Sequence, residues 1–304
     1  MSSLCDVPGF RIGHCHNLAA RTGCTVILPP GEATAGVDVR GSAPGTREIE
    51  VCKPVRLVPK IHAVLLSGGS AFGLDAAGGV QKYLEEQNIG YDTGIIKVPI
   101  VPAAVIFDLG VGDAAVRPDH KMGYQACLNA TAHERSQGPV GAGCGATVGK
   151  FFGQNYASPG GIGTCSQKIG AVCLGVLSVV NPLGEVINPE NGEILAGIKK
   201  PDRTDFIPSL TAMKSLSSHK PPTANTTLCV VASNAVFNKE ECIKIAQMAQ
   251  DGLARAIRPA HTMYDGDIVF ALSAGAEKMD VNLAGAIACE LVAESIVRAV
   301  QAAN

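Results

Sequence analysis

Short apolar runs rich in β-branched residues alternate along this chain with Ala-rich stretches of helical period, and that alternation restricts the fold to a mixed α and β architecture. Segments 24–28, 63–66, 172–180, 228–232 and 268–272 have strand length and read as short buried strands. The helical stretches are 72–87, 113–133, 239–257 and 282–302. In the third of these, Ile245, Met248, Ala249, Gly252, Leu253, Ala256 and Ile257 follow the i, i+3, i+4, i+7 rule, and Asn238 with Glu241 makes a capping-box start. Ala284, Ile287, Ala288, Leu291, Val292, Ser295 and Ile296 repeat the stripe in the fourth. Helices with one narrow apolar face beside short buried strands predict a layered α/β sandwich in which helices cover sheets. No internal repeat is visible, so 1–304 reads as one domain.

Composition narrows the function classes. With 46% hydrophobic and 17% charged residues in 304, the chain has a full core and little solvated decoration. A net charge of -2 leaves no electrostatic footprint for nucleic acid or an anionic membrane, which favours a small, largely uncharged ligand. The longest apolar stretch, 171–180, is far short of the roughly 20 residues that span a bilayer. The start, MSSLCDVPGFRIGHCHN, has no basic region leading into an apolar core, and the 11 cysteines contain no C-x-x-C, so the expectation is reduced thiols, no secretory leader and a cytoplasmic location.

Several familiar patterns fail. GAGCGA at 141–146 formally satisfies G-x-G-x-x-[GA], yet no clear apolar strand leads into it and no βαβ unit follows. Gly149-Lys150 lacks the rest of a P-loop, no G-x-S-x-G elbow exists, and Ser217-x-x-Lys220 lies in a polar stretch instead of at a helix start. The pair His14 and His16 has no third ligand at a metal-site spacing, so a surface or strand-edge placement is expected and no metal is invoked. The segment 199–223 is polar and Pro-bearing, with no sustained periodicity beyond one turn of helix near Thr211–Leu216, and reads as a long exposed loop, a length that in compact domains is often functional or a processing site.

Directly after that segment comes Asn225-Thr226-Thr227. If the chain is cut before Thr226, its hydroxyl sits beside its own α-amine, whose pKa of about 7.7–8.0 suits a general base. The ordinary alternative is a polar loop feeding a buried strand, and these few residues alone favour that alternative, because Thr-Thr at a strand start is commonplace.

The segments VDVRGSAPGTRE (37–48), HAVLLSGGSAFGLDAAGGV (62–80), VPIVPAAVIFDL (98–109), GAGCGA (141–146), GGIGT (160–164), VVNPLGEVINP (179–189), NTTLCVVASNA (225–235) and DGDIVFAL (265–272) resemble, in order, the self-processing L-aminopeptidase/D-esterase-amidase family. That family also holds β-peptidyl aminopeptidases, a pantetheine hydrolase and nylon-oligomer hydrolase. The resemblance implies a four-layer αββα sandwich like that of N-terminal nucleophile hydrolases. It also implies an α-chain, 1–225, and a β-chain, 226–304, that stay together in a homo-oligomer without metal or organic cofactor. Carried over residue by residue, it makes Thr226 the nucleophile, Asn225-Thr226 the cleavage site and Asn181 an oxyanion donor. Lys150 sets the nucleophile's electrostatics, with a surface lysine as the alternative. Asp265 and Asp267 hold the nucleophile's amine, with a simple turn as theirs. Phe107 stands where several members have Tyr, and Gly143 and Gly145 offer backbone approach to the substrate. Arg40, Arg47 and Glu48 form either a buried ion-pair network or a substrate contact. Ala224 replaces a frequent Gly before Asn225. The implied activity is amide hydrolysis of small peptides or amides, with acyl transfer on a similar fold, or metabolite binding by an unprocessed chain, as the alternatives.

Overall fold

The computed structural model describes residues 1–202, 205–215 and 225–304. The expectations for Ser217-x-x-Lys220 and Ala224 lie outside the described residues. Ten strands build the two main sheets: β1 (Arg11–Asn17), β2 (Thr22–Leu28), β3 (Thr34–Val39), β4 (Thr46–Arg47), β5 (Val64–Ser67), β6 (Ala103–Val105), β7 (Gly161–Ile169), β8 (Val172–Asn181), β9 (Thr226–Ala235) and β10 (Ile268–Glu277). The helices are α1 (Ala76–Glu86), α2 (His120–Leu128), α3 (Ser209–Ser215), α4 (Lys239–Ala256) and α5 (Val281–Ala303). One sheet runs β1-β2-β5-β6-β4 and the other β7-β8-β9-β10-β3, each antiparallel except for one parallel pair, β5 with β6 and β9 with β10. The result is the expected αββα sandwich, with α1 and α2 outside the first sheet and α4 and α5 outside the second.

Strand alternation sorts the side chains into three apolar layers. Leu228, Val230 and Ala232 of β9 enter the layer between the sheets with Phe10, Leu66 and Phe270, while Cys229 and Val231 face α4 and α5. On β5, Val64 and Leu66 point inward and Leu65 packs against α1 and α2. Both faces of these strands are covered, which is why their sequences are continuously apolar.

The five expected strands and the two amphipathic helices near the C-terminus are present within a few residues, and the Asn238–Glu241 capping box forms as read. Three expectations are corrected. The stretch 113–133 yields helix only over α2, because Pro118 disfavours helical backbone before it and Asp119 caps His120 with a bond to Met122 N–H. The stretch 72–87 begins as a 3-10 helix, Ser70–Asp75, before α1. The segment read as a long exposed loop carries a short strand, Phe206–Ile207, and its one expected turn of helix, as far as Ser215, lies within the longer α3, whose Ser209 and Ala212 are buried. Among the described residues no helix is long and apolar enough to cross a membrane, and all 11 cysteines are free thiols.

Candidate functional site

The two sheets end together at one edge of the sandwich. Asn181, the last residue of β8, is the register partner of Thr226, the first of β9. Asp265 and Asp267 lie just before β10, which runs parallel to β9, so both carboxylates reach the same edge. From the opposite sheet, the residues that follow β6 bring Ile106, Phe107 and Asp108 across. A cavity of about 310 Å³ opens there, lined by Ala43–Gly45, Ser70, Ala71, Val105–Phe107, Asn225 and Thr226.

Thr226 Oγ1 lies 2.5 Å from the carbonyl oxygen of Asn225. That same carbonyl accepts the Gly266 N–H at 2.8 Å. Asn225 is held on its other side by Tyr264, whose carbonyl takes both the backbone N–H, at 3.1 Å, and the side-chain amide, at 3.3 Å. A Cβ on Gly266 would fall 2.7 Å from Ala43 O and 2.8 Å from Thr226 Oγ1, so only glycine permits this close approach.

Lys150 is not on the surface. It is 2% exposed, and its ammonium donates to Thr147 O (2.8 Å), Asn181 O (2.8 Å) and Asn181 Oδ1 (2.7 Å). Burial pulls its pKa down to about 7, against the opposing pull of Asp265, Asp108 and Asp267. Asn181 Oδ1 also accepts the Thr147 N–H at 2.9 Å. With its oxygen held twice, the amide turns its NH₂ toward Phe107, whose carbonyl it meets at 3.3 Å. The lysine therefore orients the asparagine, and the strand pairing sets the asparagine beside Thr226.

The two carboxylates are fully engaged. Asp267 Oδ1 accepts the Thr227 N–H at 2.8 Å, and Oδ2 accepts both the backbone N–H and Nδ1–H of His261 at 2.9 Å each. Asp265 accepts Leu183 N–H at 3.1 Å and both the N–H and hydroxyl of Thr262. Burial, and secondarily the negative charge of Asp267, pushes the Asp265 carboxyl up to about 6.

Phe107, Asn225, Thr226, Asn181, Lys150, Asp265 and Asp267 thus gather at one edge. Gly143 and Gly145 do not line the cavity: a Cβ at Gly143 would meet the backbone of Gly161 and Ile162, and one at Gly145 the carbonyl of Arg21, so both serve backbone packing. The buried network of Arg40, Arg47 and Glu48 does not form. Arg40 pairs with Asp38 and Asp251 at the surface, Arg47 bonds Gln81 Oε1 and Glu48 accepts the Val101 N–H. His14 bonds Thr25 Oγ1, and His16 accepts the Gly141 N–H. Three neighbours escaped sequence reasoning. Gly266 enters through its N–H, His261 through Asp267, and Ser70 through the cavity wall; Gly266 and Ser70 carry no local signal beyond their place in a motif, and His261 lies outside every motif.

Comparison with known proteins agrees with the fold and with amide chemistry. The model of peptidase family S58 matches residues 2–304. An uncharacterized aminopeptidase of Mycobacterium bovis is 42% identical over 294 residues, covering 91% of this chain and 82% of its own. A 6-aminohexanoate-oligomer endohydrolase of a Kocuria species is 29% identical, over 97% of this chain and 84% of its own. Two solved structures cover all of this chain. The Burkholderia beta-aminopeptidase does so with a TM-score of 0.70, 21% identity and 87% of its own chain covered. The L-aminopeptidase D-Ala-esterase/amidase of Ochrobactrum anthropi, a variant of the Ntn hydrolase fold, has a TM-score of 0.74, 17% identity and 86% covered. The chain belongs to peptidase family S58 and is a hydrolase acting on amide bonds.

Proposed function

We propose that the chain cuts itself between Asn225 and Thr226 and then works as an N-terminal-threonine aminopeptidase or amidase on small peptides or amides. The observation that carries this reading is the placement of Thr226 Oγ1 against the Asn225 carbonyl while Gly266 N–H polarises it. In the first step Oγ1 bonds to the Asn225 carbonyl carbon, the C–N bond to Thr226 breaks, and the hydroxyl proton passes to the departing nitrogen. Water then hydrolyses the ester, which leaves an Asn225 carboxylate and a Thr226 with a free amine and a free hydroxyl.

In turnover the new amine takes the hydroxyl proton as Oγ1 attacks the substrate carbonyl. The same proton goes to the leaving amine, and water releases the acyl group from Oγ1. The Asn181 NH₂, oriented by Lys150, donates to the developing oxyanion, a contribution worth roughly 2.7–4 kcal/mol when such a donor is removed. Asp267 and Asp265 anchor the backbone around Thr226 and supply negative charge that favours the protonated amine between steps. Residues 1–225 and 226–304 are then an α-chain and a β-chain held together by the β8–β9 pairing, and processed protomers assemble as a homo-oligomer in the cytoplasm.

Intact-mass spectrometry of the wild type beside Thr226→Ala tests this directly. The wild type is expected as fragments 1–225 and 226–304, and the variant as one uncut, inactive chain. An uncut wild type after long incubation, or an active variant, removes the proposal.

A further inference from the structure

On the side of β10, the first two residues of β9 stand outside the backbone ladder. The parallel register between the two strands begins with Leu228 opposite Ile268, and the Thr227 N–H goes instead to a side chain, Asp267 Oδ1, at 2.8 Å. An isolated bridge joins Asn225 to Asp265, but it lies on the far side of the bond to be cut. Asn225 is also held by Gly266 N–H through its carbonyl and by Tyr264 O through its N–H and side-chain amide, and cleavage detaches all of these from Thr226. The new strand end then keeps its pairing with Asn181 on β8 and, toward β10, the Asp267 carboxylate.

That carboxylate must itself be held. Asp267 is 1% exposed, and the donors to its second oxygen, Oδ2, both come from His261, the backbone N–H and ring Nδ1 at 2.9 Å each. A carboxylate only accepts, so the ring nitrogen facing it carries the proton. Asp265 is held differently, by Leu183 and Thr262.

His261 keeps this position at a local cost. Its φ is +58°, in the left-handed region that a residue with a Cβ enters unfavourably. Its other ring nitrogen, Nε2, is buried without a hydrogen-bond partner among the described residues, a second unfavourable feature. Both accompany the turning of one residue's backbone N–H and ring onto a single carboxylate oxygen, which is the pattern of strain retained beside a reacting group.

We propose that His261 is a positioning residue for the reaction: its ring N–H fixes Asp267, Asp267 fixes the Thr227 N–H, and the hydroxyl of Thr226 is thereby aimed at the carbonyl it attacks. The inference rests on Thr226 as the nucleophile. It adds a residue that touches neither the substrate nor the reacting atoms.

Self-cleavage reads this without any added substrate. Full-length chain is made by cell-free synthesis, and its conversion into 1–225 and 226–304 is followed by intact mass for the wild type, His261→Gly and His261→Asn. Tm is measured for each in the Thr226→Ala background, so that only uncut chains are compared. His261→Gly removes the ring and eases the backbone; it is expected to be cut about 10–100-fold more slowly, with Tm within about 3 °C of its parent. His261→Asn keeps an N–H donor at the place of Nδ1 and tolerates left-handed backbone, so its rate is expected within about threefold of the wild type. A His261→Gly chain cut at the wild-type rate overturns the proposal. So does an asparagine variant as slow as the glycine one, or a loss of rate matched by a large loss of Tm, which assigns the ring to the fold alone. A wild type that stays uncut removes the Thr226 reading and this inference with it, whereas a cut wild type beside an equally cut His261→Gly removes this inference alone.

Discussion

Replacing Gly266 with alanine adds one methyl group at the point where self-cleavage would begin. The added Cβ lands 2.8 Å from Thr226 Oγ1, 2.7 Å from Ala43 O and 3.1 Å from Pro44 Cα. Ordinary contact starts near 3.4 Å, so the hydroxyl, the Ala43 carbonyl and Pro44 must retreat by roughly 0.3–0.7 Å. The backbone at 266 is not left-handed, so the cost is steric and not conformational. Overpacking of this kind destabilises by about 1–3 kcal/mol, which a fold of this size survives. Processing suffers more. A displaced nucleophile and a weakened Gly266 N–H bond to the Asn225 carbonyl, now 2.8 Å, together remove positioning and an oxyanion donor. Either loss is worth about 100-fold in rate. The assay is a time course of intact mass that follows conversion of the full chain into 1–225 and 226–304, with circular dichroism to confirm folding. Gly110→Ala is the control, because its new Cβ meets nothing closer than 3.7 Å. A folded Gly266→Ala chain that is processed at the wild-type rate would refute the assignment of the Asn225 carbonyl, and with it this geometry, as the reacting centre.

Two further outcomes are expected. Asn181→Asp keeps an oxygen for the Lys150 ammonium and the Thr147 N–H but loses the NH₂ that meets Phe107 O. Tm should change little while kcat falls about 10²–10³-fold, and near-normal kcat excludes Asn181 as the oxyanion donor. Asp265, with its carboxyl raised from 3.8 to about 6 by burial, contributes stability that is present below about pH 4 and lost as pH rises through 6. In the Thr226→Ala background, which keeps the chain uncut, the Tm advantage of Asp265 over Asp265→Asn should therefore shrink between pH 4 and 7. A gap that does not vary with pH contradicts a raised carboxyl at this position.

The helical stripes of α4 and α5, the Asn238–Glu241 cap and the buried runs of β2, β5, β8, β9 and β10 were legible because period and capping are local properties, carried by residues at most a few positions apart. The half-buried edge strand β7 was not legible, since its outer end, Ser166–Ile169, faces solvent and its inner end carries glycines. The pairing of β3 was equally hidden, being decided by β10, a partner far along the chain. At the site, Thr226, Asn181, Lys150, Asp265 and Asp267 were nameable through motif resemblance. Their relations came only with the tertiary structure. Register pairs Asn181 with Thr226, burial beneath the strand ends turns Lys150 from a possible surface charge into a clamp, and the segments after β5 and β6 of the other sheet supply Ser70 and Phe107. The sequence by itself marked the segments with a local period or cap and, through motif resemblance, the residues expected at the site. Strand register and sheet-on-sheet packing decided what each of those residues touches, because such contacts join positions as far apart as Thr34 and Ser273, which no local pattern links.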